Sequence, residues 1–254
     1  MKRAIISDIH GNLEALTAVL EDIKKQNVDE IFCLGDVVGY GANPLECLDL
    51  IMQECKLCLI GNHEQGVIYD PDCFNSTALQ AIFWTREQIC APSERRDERW
   101  DFINMNPRKW YDENWKAVFV HGSPMNALNE YVFPDDIYNP PKLERLFNLI
   151  VHVSFQGHTH IPGVFTHTYD FKSPEMFDYE MDLEPDQKYL VNVGSVGQPR
   201  DSNPKSCYVT AEDRNGKLHL EYHRVEYPVQ KAVDKIFQVP ELDRYLGNRL
   251  SQGR

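Results

Sequence analysis

Eight residues in this chain are of types that bind divalent cations or move protons, and each follows an apolar run: Asp8, His10, Asp36, Asn62, His63, His121, His158 and His160. Carboxylates, imidazoles and amide oxygens together suit borderline to hard metals: Mn, Fe, Zn, Co or Mg. Asn62 offers a neutral oxygen ligand, and His63 beside it can donate a proton. Most of these residues adjoin a glycine, as in Gly61-Asn62-His63-Glu64 after Leu57-Cys58-Leu59-Ile60. One strand-end Asp is more often a cap or a turn former, and a lone His is more often a satisfied structural residue. Eight such residues at five strand ends exceed what capping explains and what one ion needs. Asp36, central in chain order, can bridge two ions through its two oxygens. A metal pair about 3.5–4 Å apart is an arrangement suited to phosphoryl chemistry.

The elements that must carry these residues follow from periodicity. Lys2 to Ser7 reads as a strand. Leu13, Leu16, Leu20 and Ile23 recur at helical spacing, and Val28 to Leu34 reads as a second strand. Strand, helix, strand is a βαβ unit whose parallel strands put both trailing loops at one sheet edge. Asp8, His10 and Asp36 are therefore expected together. Pro44 starts the next helix, and residues 57–60 form a third strand that leads into the Asn62-His63 turn. A helical segment is expected from Asn75 to about Ile103, broken at Pro92, with the charge-dense run Ser93 to Arg99 on a solvated face. Trp84, Trp100, Trp110 and Trp115 lie in or near it. They are read as core packing in preference to a substrate lid.

Further strands are expected at 115–120, 151–155, 164–167 and 188–193, with a short helix at 142–150. Residues 126–141 lack periodicity and read as a surface loop over the site. The stretch with Phe171, Phe177 and Tyr179 has no clear assignment. Residues 206–212 and 217–225 alternate around Asn215-Gly216, a hairpin signal. One or two helices are expected over 228–238 and 240–250.

The chain has 254 residues and no Pro/Gly/Ser-rich linker, so one domain spanning 1–254 is expected, with the helical segment at about 75–103 as an insertion. A net charge of -13 argues against a nucleic-acid polymer as partner. An anionic small substrate is still compatible, because bound cations reverse the local sign. No apolar run approaches the ~20 residues of a membrane span. The N-terminus lacks the apolar core and cleavage site of a signal peptide, so a cytoplasmic location is expected. The cysteines are odd in number and scattered, which fits reduced thiols and not a disulfide framework. Cys55-x-x-Cys58 has no second pair and is read as strand packing, not as a zinc ribbon.

The order Asp8-x-His10, Gly35-Asp36, Gly61-Asn62-His63-Glu64, His121-Gly122, Gly157-His158-Thr159-His160 resembles the calcineurin-like metallophosphoesterase superfamily. Five motifs in series are specific where one would not be. The resemblance implies an α/β fold: a four-layer sandwich of two mixed sheets with flanking helices. It implies that Asp8, His10 and His160 bind one metal, Asn62, His121 and His158 a second, and that Asp36 bridges them. His63 would orient phosphate and protonate the leaving oxygen. The implied cofactors are two divalent ions, Mn favoured. The implied activity is hydrolysis of phosphate esters by a bridging hydroxide, with a small phosphorylated molecule as substrate.

Protein Ser/Thr phosphatases of this superfamily carry Asp-Arg-Gly after the second motif. Here the segment is Gly35-Asp36-Val37-Val38-Gly39-Tyr40-Gly41, which counts against that branch. The Gly-Tyr-Gly loop and Gly194-Ser195-Val196-Gly197-Gln198-Pro199-Arg200 are similar to the small bacterial phosphodiesterase-like branch. Tyr40 and Arg200 are candidate substrate contacts; alternatively Arg200 only closes a turn beside Asp201. A phosphodiesterase or nucleotide phosphohydrolase is the leading expectation. A phosphomonoesterase or dinucleoside polyphosphate hydrolase is an alternative. A non-catalytic metal-binding scaffold is an alternative of another kind, disfavoured because His63 and every expected ligand are present.

Overall fold

The computed structural model describes residues 1–71 and 74–254. Among the described residues, twelve strands form two six-stranded mixed sheets. The first sheet runs β3 (Leu57–Cys58), β2 (Glu30–Cys33), β1 (Lys2–Ile6), β11 (Ser206–Arg214), β12 (Lys217–Val225), β9 (Glu180–Leu183). The second runs β4 (Lys109–Asp112), β5 (Ala117–Val120), β6 (Val153–Gln156), β10 (Tyr189–Asn192), β7 (Gly163–Thr166), β8 (Phe171–Lys172). The strands β3, β2 and β1 pair in parallel, as do β5, β6 and β10; the remaining ladders are antiparallel.

Most central strands read as unbroken apolar runs because both of their faces are covered. In β1, Ile5 points between the sheets while Ala4 and Ile6 point to the outer helices. In β5, Ala117 and Phe119 face inward and Val118 and Val120 outward. This is the two-residue period of a pleated strand. The layer between the sheets holds Phe32, Leu34, Phe119, Phe155, Val191 and Val209. Over the first sheet lie α1 (Leu13–Ile23), α2 (Pro44–Glu54), α4 (Ser76–Cys90), α5 (Arg96–Met105), α7 (Val229–Gln238) and α8 (Arg244–Leu250). Over the second lies α6 (Pro140–Asn148), which buries Leu143, Leu146 and Phe147. The result is the helix–sheet–sheet–helix sandwich that the motifs imply.

The differences from the sequence expectations have identifiable causes. The helical segment divides into α4 and α5, and its charged run is not wholly solvated. Arg99 is buried and grips Asp49 of α2 with two hydrogen bonds of 2.8 and 2.7 Å. Trp84 and Trp115 are core residues, whereas Trp110 is half exposed on β4. Loop 126–141 contains a 3-10 turn, Pro134–Tyr138, and its end already belongs to α6. The unassigned stretch supplies β8 to the edge of the second sheet and β9 to the edge of the first. Asn215 and Gly216 adopt φ values of 57° and 85° between β11 and β12, as a tight hairpin requires. Among the described residues no helix is long and apolar enough to cross a membrane.

Candidate metal centre and active site

The eight candidate residues converge at the edge where the parallel strands end. Backbone bonds carry the β1–β2 pairing into the loops: Asp8 N donates to Gly35 O, and His10 N to Asp36 O. Val196 N to Ser7 O and Gly197 N to Asp8 O then clamp the glycine-rich loop on the same turn.

Two groups of ligand atoms result. Asp8 Oδ1 lies 3.1 Å from His160 Nε2 and 3.8 Å from His10 Nε2. Those two imidazole nitrogens are 3.1 Å apart. In the second group His121 Nε2 lies 3.0 Å from Asn62 Oδ1, 3.1 Å from His158 Nδ1 and 3.3 Å from Asp36 Oδ2. Asp36 Oδ2 is also 3.7 Å from His10 Nε2, so this carboxylate stands between the groups.

Ring tautomers decide what these contacts mean. Nδ1 of His10 faces Val38 O at 3.1 Å, Nδ1 of His121 faces Leu34 O at 3.2 Å, and Nδ1 of His160 faces Gln198 O at 2.6 Å. A carbonyl only accepts, so each neutral ring carries its proton on Nδ1 and presents the Nε2 lone pair to the cluster. Between His10 and His160 acceptor then faces acceptor at 3.1 Å, which is repulsive unless a cation lies between. Asp8 Oδ1 and His158 Nε2 are buried without a hydrogen-bond partner among the described residues. This donor set fits divalent metal ions: carboxylate, imidazole and amide oxygen, all buried.

One imidazole of the cluster favours its protonated form and the others disfavour it. Burial opposes a charged His121, but Asp36 outweighs it and holds the ring up at about 9. Burial and the charge on His121 push His158 down to about 3. His10 and His160 are lowered too, chiefly by burial. Burial alone would raise the Asp8 and Asp36 carboxyls; neighbouring imidazoles, His160 for Asp8 and His121 for Asp36, hold them below the usual range.

Backbone strain is concentrated here. Asp8, His10, Asp36, His158 and His160 all have φ between 49° and 66°, and Tyr40 has 63°. Non-glycine residues in this region cost of order 1 kcal/mol or more each. The tight turns they make aim side chains at one point.

His63 borders the cluster: its N–H donates to Asp36 Oδ1 at 2.9 Å, and its ring nitrogen lies within 4.8 Å of ligand atoms of His10 and Asp36. Its ring is enclosed by Tyr40, His10 and Phe74, with centroids 4.5, 4.7 and 5.3 Å away. Burial, then the charges of His121 and Arg200 against Asp36, push its pKa down to about 4. Tyr40 and Arg200 line the same cavity. Asp201 pairs with Arg224, so it does not occupy Arg200. The Arg200 Nη2 group donates to Gln198 Oε1 at 2.7 Å, while its Nε is buried without a partner among the described residues.

Comparison with known proteins agrees with this geometry. Residues 1–162 match the family model for calcineurin-like phosphoesterases. The chain belongs to the calcineurin-like phosphoesterase family. An uncharacterized protein of Methanocaldococcus jannaschii is 41% identical, covering 99% of this chain and 98% of its own. A metallophosphoesterase from Sphaerobacter thermophilus has a similar structure, with a TM-score of 0.81 at 31% identity over 100% of this chain and 99% of the other. A symmetrical bis(5'-nucleosyl)-tetraphosphatase of Psychromonas ingrahamii is 29% identical over 120 residues, 41% of this chain and 42% of that one.

Three residues that support this phosphoesterase site were not assigned roles from sequence. Glu64 is buried, and its carboxylate accepts from Asp36 N and Gly61 N at 2.8 Å and from Val38 N at 3.1 Å. It ties the second motif to the third; burial and Asp36 raise its pKa to about 7. Its place three residues after Gly61 is a capping-box spacing, the one signal available. Arg86 of α4 donates to the carbonyls of Val67 (2.8 Å), Gly66 (2.7 Å) and Tyr69. It satisfies the C-terminal end of α3 (Asn62–Ile68), the short helix that starts at the third motif. Tyr131, from the aperiodic loop, stacks on His158 with centroids 3.7 Å apart.

Proposed function

We propose that this family member is a metal-dependent phosphoesterase that binds two divalent ions and hydrolyses a phosphodiester or a nucleotide phosphate ester. The supporting observation is the pair of facing acceptors, Nε2 of His10 against Nε2 of His160, with His121, Asn62 and Asp36 converging beside them. Asp8, His10 and His160 would hold one ion, Asn62, His121 and His158 the other, and Asp36 both. When bound, such a pair supplies Lewis-acid polarisation of phosphoryl oxygens and a water acidic enough to react near neutral pH.

The chain's own groups do the rest. Arg200 lines the cavity, and its guanidinium would bind a phosphate oxygen there. Tyr40 covers His10 and His63 on that side. His63 stands next to the cluster, its N–H bonded to Asp36 Oδ1. A phosphate anion beside it favours the protonated ring, which then gives its proton to the departing oxygen. A general acid contributes typically ~10²–10⁴ in rate.

The test uses metal-free protein supplied with Mn²⁺, turnover of bis-p-nitrophenyl phosphate against p-nitrophenyl phosphate, and Asp36→Asn as blank. Metal-dependent turnover that favours the diester and vanishes in the blank is expected. No turnover with Mn²⁺, Zn²⁺, Fe²⁺ or Mg²⁺ would contradict the proposal.

A further inference from the structure

The cavity above the cluster does not end there. An inner space of about 350 Å³ is lined by Asp36, His63, His160, Tyr40 and Arg200. An outer one of about 850 Å³ runs between Gln65–Gly66 and Asn129, and is bounded by Asp70. The two share Asn62, Phe74, Tyr131 and His158, so they form one cleft.

Charge divides this cleft sharply. Among the described residues lining it, Arg200 is the sole lysine or arginine, and it lies in the inner part. The outer part carries the Asp70 carboxylate and no cation among the described residues. Its walls are instead aromatic and amide. Phe74 packs edge-on to His63. Tyr131 is 40% exposed and stacks with Phe133 at 5.2 Å and 10°. Gln65 Oε1 is buried with no hydrogen-bond partner among the described residues. A groove of this kind repels a second phosphate. It accepts a flat, uncharged ring that can donate an N–H to Gln65 Oε1.

Direction comes from His63, which borders the inner space with Phe74, shared by both spaces, edge-on to its ring. A leaving group that takes its proton can extend past Phe74 into the outer groove. We infer that the outer groove is the leaving-group site, that it selects an uncharged nucleoside, and that Phe74, Gln65 and Asp70 set this selectivity. The inference rests on the phosphoesterase reading above. In the reaction a water oxygen bonds to phosphorus and the P–O bond to the nucleoside breaks. The nucleoside oxygen takes the His63 proton, leaving an alcohol and a phosphate. Phosphoanhydrides, whose leaving group is itself a phosphate, are disfavoured by Asp70.

Two measurements test this. Saturation-transfer NMR on the metal-free protein reads adenosine binding without turnover, with ribose as control. Adenosine should bind and ribose should not. Loss of the flat face in Phe74→Leu, which keeps apolar volume, should weaken adenosine on the order of tenfold, the scale of base–aromatic stacking. With Mn²⁺, kcat/KM should be higher for AMP, which releases adenosine, than for ATP, which releases ADP. The exposed substitution Asp70→Lys should narrow that ratio. Adenosine binding that Phe74→Leu weakens, with no ester hydrolysed, would sink the phosphoesterase reading and leave the groove as a nucleoside site. Ester hydrolysis without adenosine binding, or AMP hydrolysis slower than that of the ATP anhydride, would overturn the groove assignment and leave the phosphoesterase reading intact.

Discussion

Gly39 offers a way to move one side chain of the site without touching it. Its φ is +87°, and a Cβ built there would lie 2.1 Å from His63 Nδ1. Ordinary contact begins at 3.4 Å, so in Gly39→Ala the ring must retreat by roughly 1 Å, a displacement that can cost on the order of 10²-fold in rate. Backbone strain adds about 1–2 kcal/mol, which for a chain of this size lowers Tm by about 2–4 °C per kcal/mol. Gly216 provides the control. Its φ is +85° and a Cβ placed on it would meet nothing within 4 Å, so Gly216→Ala carries the same strain without the collision. Gly39→Ala should melt below Gly216→Ala by the ~1–3 kcal/mol of overpacking, and the two should differ in catalysis. Gly216→Ala should keep wild-type kcat/KM, and Gly39→Ala should lose about 10²-fold, more for alkoxide than for phenolate leaving groups. Metal content should stay the same in both. If Gly39→Ala retained kcat/KM within twofold of Gly216→Ala, His63 would have no positional role and the general-acid assignment would fall.

Other substitutions probe the supports. Glu64→Ala leaves three buried backbone N–H groups without their acceptor, a loss of about 3 kcal/mol or more at ~1–3 kcal/mol each; urea denaturation of the metal-free chain should show it, and an unchanged midpoint would refute the clamp. Arg86→Met removes the donors at the end of α3, and should lower Tm and speed amide exchange at residues 66–69 while α7 stays protected. His223, stacked on Tyr208 and bonded to Thr210, is buried, which lowers its pKa below 6.5. Between that lowered value and 6.5 the unfolded chain binds a proton that the native ring refuses, so stability is lost as pH falls below about 6.5. His223→Phe keeps the stack and should shrink the Tm difference between pH 7.5 and pH 5.5; an undiminished difference would assign the acid sensitivity elsewhere.

The parts of the fold legible in sequence are those where local pattern and burial agree. The β1–α1–β2 unit shows both periods, and because its strands are parallel, Asp8, His10 and Asp36 had to meet. The Asn215-Gly216 hairpin carries its own turn chemistry. The edge strands β4, β8 and β9 were not legible. Lys109, Trp110 and Tyr111 are exposed, β8 has two residues, and β9 is mostly solvent-facing. Such strands exist because a neighbouring strand offers a ladder, not because of their own pattern. The same holds around the site. Ligand types announce themselves, but Tyr131 meets His158 across the fold from an aperiodic loop. Glu64 and Arg86 read as ordinary helical charges until their backbone partners are seen.

The pair of metal ions is most directly tested by anomalous diffraction at the manganese edge from Mn²⁺-soaked crystals. Two peaks are expected, about 3.5–4 Å apart, one against Asp8, His10 and His160, the other against Asn62, His121 and His158, with Asp36 touching both. A single peak, or a peak away from Asp36, would contradict the dinuclear centre.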